Sequence, residues 1–180
     1  MLNEHGIYPK ASDILPLFDL SFCGSEKKAT APISFKGADY LFIYLLKGTG
    51  ELSLNSKNHT LHSGDFMVCR PFESKIFSPF IEEECEYYAV SFNGRHCTDL
   101  LSNLNIILKK DYFVGRDSDI ISCLDRAQDE YKKNDSASQF VAASLFVAAL
   151  GILSRLSIST LPKSNDKGYE KIAPALSAIN

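Results

Sequence analysis

Tyr40-Leu-Phe-Ile-Tyr-Leu-Leu46 is a seven-residue aromatic and aliphatic run that stops at Lys47-Gly-Thr-Gly50. It is too rich in β-formers and too tightly bounded to prefer helix. Glu51-Leu-Ser-Leu-Asn55 then alternates polar and apolar with period two, which buries one face of a strand. Ser56-Lys-Asn58 turns the chain, and Thr60 to His62 begins the next strand. Ser63-Gly-Asp65 turns again before Phe66 to Cys69; Gly64 permits a positive φ there, and Asp65 can accept backbone N–H groups. Pro71 stops ladder pairing. Lys75 to Ser78 and Glu86 to Phe92 read as the last strands, with Glu82-Glu-Glu84 a solvated acidic loop between them. Upstream, Ile14 to Phe22 and Ala31 to Lys36 read as two more. Short apolar runs cut at close intervals by Gly, Pro, Asn and Asp predict an all-β sandwich or barrel.

The pattern changes near residue 95, where Gly and Pro become scarce and the apolar spacing turns helical. A short helix is expected near Thr98 to Asn105. A longer one runs from Asp117 to Lys133, with Asp117 or Ser118 placed to cap it and Lys132 and Lys133 in its last turn. A third runs from about Ser136 to Ser157 and is apolar on nearly every face. Such a helix must be covered on more than one side. The domain's own core covers one side, and a second copy is expected on the other through Leu145, Ala149, Ile152, Leu153 and Leu156. Leu161 to Gly168 is a linker by composition, and Tyr169 to Asn180 starts another amphipathic helix.

The 180 residues carry a formal net charge of -3 and 45% hydrophobic residues, enough for a packed core and too acidic for a phosphate-gripping face. Five cysteines, an odd number with no CxxC pair, argue against a disulfide framework or a zinc ribbon. The start of the chain lacks a basic segment followed by an apolar one, so a cytoplasmic location is expected. The run Phe140 to Leu153, broken by Ser144, reads as a buried helix that does not span a bilayer. No G-x-S-x-G elbow, P-loop or dinucleotide fingerprint is present.

The order Gly48-x-Gly50, Gly64-Asp65-Phe-Met-Val-Cys-Arg-Pro71 and Tyr87-Tyr-Ala-Val-Ser-Phe92-Asn-Gly94 resembles the cupin domain at the N-terminus of AraC-type transcription regulators. The likeness runs from about residue 29 onward and is poor over residues 1–28. It implies a mainly β fold with C-terminal helices: a cupin-like double-stranded β-helix, or jelly-roll barrel, over residues 1–96. Residues 97–160 would form a helical dimerisation region. Residues 161–180 would be the linker and the start of a helix leading to a DNA-binding domain outside this chain.

Metal-binding cupins carry two His, a Glu and a later His at positions that fall here on Ser34, Lys36, Leu41 and Lys75. None of these binds a hard or borderline metal well. The four histidines, His5, His59, His62 and His96, are scattered over turns and tails. No metal, no cofactor and no catalytic residue is expected. Strand parity and family position instead make Ser34, Lys36, Leu41, Lys75, Phe77, Tyr87 and Ala89 candidates for lining a small-molecule pocket, with Arg70 ion-paired at its rim. A carbohydrate, which needs ring faces and hydrogen-bond donors together, is one effector such a pocket would suit. The resemblance thus implies an effector-sensing, homodimeric regulatory domain that reaches DNA only through its missing partner domain and does not contact a membrane. Two alternatives stand beside it: a free-standing, metal-independent cupin enzyme such as a sugar isomerase or epimerase, and a dimerisation module whose barrel is filled by its own side chains.

Overall fold

Nine strands and three helices build the fold, seen in a computed structural model that describes residues 18–35, 37–55, 57–80, 82–108 and 110–160. Sheet A takes the order β1 (Asp19–Ala29), β8 (Cys85–Asn93), β3 (Tyr40–Lys47), β6 (Asp65–Cys69), β9 (Asp111–Phe113). Sheet B takes the order β2 (Ile33–Phe35), β7 (Lys75–Pro79), β4 (Thr49–Leu54), β5 (Lys57–His62). Every pairing is antiparallel. The two sheets face one another as a jelly-roll, the double-stranded β-helix expected from the sequence.

Period-two alternation explains where the core sits. On β3, Leu41, Ile43 and Leu45 point between the sheets, where they meet Leu52, Leu54, Leu61 and Phe77 of sheet B. Phe42, Tyr44 and Leu46 point the other way, into a second cluster shared with the helices. Gly64 turns the chain into β6 at φ 93, and Asp65 accepts from the His62 N–H at 2.7 Å, as its turn position suggests. A Cβ on Gly64 would come within 2.8 Å of the Gly115 Cα, so the turn also needs the missing side chain.

The helices α1 (Cys97–Asn103), α2 (Ser118–Lys133) and α3 (Ser136–Thr160) cover the outer face of sheet A. Asp117 caps α2, its carboxylate accepting from the N–H groups of Asp119 and Ile120 at 3.0 Å each. Tyrosine hydroxyls pin the helices to the sheet. Tyr44 donates to the Gly115 carbonyl before α2, Tyr88 to Asp125 on α2, and Tyr131 of α2 donates to the Ser21 carbonyl at 2.7 Å. Phe146 of α3 sits among Phe42, Phe92 and Phe18 with ring centroids 5.3, 5.2 and 5.9 Å away.

Several expectations are corrected. The first strand does not end at Phe22 but continues through polar Ser25-Glu-Lys-Lys28 to Ala29, because β8 pairs with it as far as Glu26 and, after an irregularity, again at Ala29. Residues 14–17 lie outside the described residues, as do 161–180 and the helix expected there. His59 and His62 lie on β5 rather than in turns. The sheet does not stop at residue 96: β9 adds to the edge of β6, with Tyr112 stacked on Phe66 at 5.0 Å.

The expected contact face of α3 is the largest correction. Ala149 and Leu153 are fully buried in the chain's own core, and Leu145, Ile152 and Leu156 are half-buried against it. The helix turns another face outward, carrying Phe140, Val141, Ser144 and Ala148. Over Ser136–Leu156, α3 is long and apolar enough, by length and composition alone, to cross a membrane, unlike the shorter run read from the sequence. In this fold Ala142, Ala143, Phe146, Ala149, Leu150 and Leu153 are buried in the cluster shared with sheet A and α2.

Candidate functional site

Five of the seven pocket candidates, Leu41, Lys75, Phe77, Tyr87 and Ala89, come together between the sheets, each 2% exposed or less. Ser34 does not join them. It pairs with Ile76 on the outer face of sheet B, because Ile33 and Phe35 take the inward positions of β2. Lys36 lies outside the described residues.

The interior is largely filled by its own side chains, and Phe77 packs edge-on against Tyr87 at 4.9 Å. Lys75 extends to the barrel mouth and donates from Nζ to the Asp39 carbonyl at 2.9 Å. Asp39 is held in turn by Asn93 Nδ2 at 2.7 Å and by the Ser21 hydroxyl. The cavity beside them, lined by Phe35, Gly37, Asp39, Lys75 and Ser91, measures about 20 Å³ and holds one water at most. Leu41 and Lys75, at two of the metal-ligand positions, are both buried, and neither suits a metal. Among the described residues no three His, Cys, Asp or Glu side chains are grouped to hold an ion.

More room lies at the edge of the barrel. A cleft of about 240 Å³ is lined by Phe22 to Glu26 of β1, Ile33 of β2, Tyr87 and Ala89 of β8, and Gln128 and Lys132 of α2. The register pairs Gly24 with Ala89 and Glu26 with Tyr87, so these four share one face. Gly24 leaves the space open: a Cβ there would meet the tip of the Phe22 ring at 2.8 Å. The Tyr87 hydroxyl donates to Glu26 Oε2 at 3.2 Å. Burial, and then the Glu26 carboxylate beside it, push the Tyr87 pKa up, so the phenol keeps its proton. Burial pushes the Cys23 thiol up to about 12 and the Cys85 thiol up to about 11, which makes both poor nucleophiles.

The sequence reading found Tyr87 and Ala89 but missed Phe22, Gly24, Glu26 and Gln128. Glu26 sits in a polar stretch that carries no apolar alternation, and Gln128 becomes part of the wall only when α2 packs beside β1. Arg70, expected in a rim ion pair, has none among the described residues. It lines a separate depression of about 370 Å³ with Thr98, Leu101, Ser102 and Asn105 to Leu108.

A jelly-roll with helices on one sheet and a side cleft between its edge strands is a cupin-type ligand-binding barrel. The family model for the AraC-like ligand binding domain matches residues 27–150, and the chain belongs to that family. No curated protein matches the chain. Among solved structures it is similar to the EutQ protein of Clostridium difficile, at 14% identity and TM-score 0.34, covering 41% of this chain and 52% of that one. It is similar to an RmlC-like cupin family protein of Methanocaldococcus jannaschii, at 14% identity and TM-score 0.33, covering 38% of this chain and 64% of that one. A predicted oxalate decarboxylase of Thermotoga maritima gives 19% identity and TM-score 0.36, covering 41% of this chain and 66% of that one. The chain thus spans between half and two thirds of these three proteins.

Lys75 supplies a test of the barrel mouth. Burial lowers its pKa from the ordinary 10.5, against smaller opposing effects of Cys69, Glu73 and Asp39. The unfolded chain therefore holds this proton more tightly than the folded one, and the residue's contribution to stability rises as pH climbs toward 10.5. Lys75→Met removes that slope. Urea denaturation at about pH 7 and pH 10 should show the native chain gaining stability relative to Lys75→Met as pH rises. A pH-independent difference between the two would mean that Lys75 titrates normally.

Proposed function

We propose that this chain is the effector-sensing half of a cytoplasmic transcription regulator that carries out no chemistry of its own. Membership of the AraC-like ligand-binding family supports a small-molecule-sensing role. The observation that carries the reading is the double duty of β8. Its Tyr87 and Ala89 line the cleft, while Tyr88 and Val90 on its other face pack under the helices, with Tyr88 bonded to Asp125 of α2. A ligand in the cleft therefore presses on the strand that holds α2. A carbohydrate is one effector class that the ring faces and polar groups of the cleft admit. Contact with DNA belongs to a further domain outside these residues.

Gly24 gives the direct test. Its backbone is compatible with a side chain, and only the Phe22 ring obstructs one. Gly24→Leu should fill the cleft at little cost in stability. In a thermal-shift screen of small metabolites, compounds that raise the melting temperature of the native chain should fail on Gly24→Leu. Equal shifts in both would place the effector elsewhere.

Two copies pair, in this reading, through the outward face of α3. A symmetric contact covers one apolar face twice. Phe140 is 75% exposed and Val141 40%, an unusual display for a helix whose opposite face is core. Ala148→Glu, on that face, should turn a dimer into a folded monomer in light scattering. Leu153→Glu, aimed into the chain's own core, should instead abolish cooperative unfolding, since an unpaired buried charge costs several kcal/mol. A native chain that is monomeric at high micromolar concentration would overturn the dimer.

A further inference from the structure

Arg70 follows the last residue of β6, is exposed, and has no ion pair among the described residues. It lines the depression between the end of β6, α1 and residues 105–108. At about 370 Å³ this space is of ligand-pocket size. No Asp or Glu belongs to its lining, so the guanidinium is the one group of fixed charge there. Asp99, on α1, lies 3.3 Å from the His96 ring instead.

Carbonyls at the end of a helix repel an anion. Those at the end of α1 are engaged within the chain. Leu100 accepts from the Leu104 N–H at 3.0 Å, and Leu101 and Ser102 accept from the N–H groups of Ile106 and Asn105 at 2.9 Å each. The Leu104 carbonyl accepts from the Ser154 hydroxyl of α3, and the Asn105 carbonyl from the Tyr112 hydroxyl at 3.3 Å. Side chains supply the rest. The Ser102 hydroxyl and the Asn105 amide have no partner among the described residues, and each can donate. The remaining lining is mostly apolar. Asn105 takes φ 55, after which Ile106 enters the core and Ile107 is left 60% exposed.

A guanidinium fork matches the two oxygens of a carboxylate. A phosphate monoester, carrying about two charges, would meet a single cation here. We infer that the depression beside α1 is a ligand site separate from the cleft, taking a small organic carboxylate whose oxygens meet Arg70 and whose apolar body lies against Leu101, Ile106 and Ile107. Cyclohexanecarboxylate, cyclohexanol and inorganic phosphate test it on the full chain at neutral pH. Titrations are read from the amide resonances of Thr98, Ser102 and Ile106 to Leu108, beside those of Phe22 to Glu26 in the cleft. The carboxylate should shift the first set and bind about tenfold more tightly than cyclohexanol or phosphate. Arg70→Gln should bring its affinity down to that of cyclohexanol, and the melting temperature should barely change, since Arg70 is exposed and unpaired. Cyclohexanol or phosphate binding as tightly as the carboxylate would overturn the assignment, as would undiminished carboxylate binding by Arg70→Gln. So would carboxylate shifts confined to Phe22 to Glu26, or none at all. None of these four results touches the reading of the cleft as the effector site, which Gly24→Leu tests by itself.

Discussion

β3 and β8 have no solvent face, and the rest of the fold follows from that constraint. Six consecutive residues of β3, Leu41 to Leu46, are each 3% exposed or less. Alternate members fill the barrel and support the helices. Since side chains alternate strictly, a slip of one residue in pairing would exchange the two sets. Phe42 and Tyr44 would then crowd a barrel sized for Leu41, Ile43 and Leu45, and the aromatic seat of Phe146 would vanish. Burying a large apolar side chain contributes about 1.5–3 kcal/mol, so both faces of these strands fix the register. The barrel and its helices are therefore one packed unit that shares sheet A as a wall.

That shared wall gives the side cleft its meaning. The interior between the sheets is occupied by Leu41, Phe77, Tyr87 and their neighbours, while the space at β1 borders both the barrel and α2. A barrel that binds at its edge touches the helices directly, through Gln128 and Lys132, as well as through β8. The tyrosines state the same relation in hydrogen bonds. Tyr87 faces Glu26 in the cleft and Tyr88, next in sequence, faces Asp125 on the helix.

Much of this was legible in the sequence. The strands from Tyr40 to Phe92 declare themselves because apolar alternation and turn residues agree there, and Asp117 marks the start of α2 because capping chemistry is local. Other features depend on tertiary contact. Ser25-Glu-Lys-Lys28 carries no apolar alternation, yet it is strand because β8 offers a ladder at Ser25, Glu26 and Ala29. Asp111–Phe113 is too short to signal and is held by the stack of Tyr112 on Phe66. Ser34 was assigned inward by family position, whereas Ile33 and Phe35 compete for the interior and win it by hydrophobicity. On α3 apolar residues surround the axis, so periodicity cannot say which face is core. Packing against sheet A and α2 decides it, burying Ala149 and Leu153 and leaving Phe140 and Ala148 outside. Glu26 and Gln128 are distant in sequence and share a site only after folding.

In the proposed reading, β8 carries the state of the cleft to the helices. Hydrogen-exchange mass spectrometry of α2, with the cleft empty and with it occupied by a ligand, measures this most directly. Exchange across Asp119 to Lys133 should slow when the cleft is filled. In Tyr88→Phe that protection should disappear, while the slowing in β1 and β8 remains. Protection confined to β1, β2 and β8 in the native chain, with α2 unchanged, would contradict it.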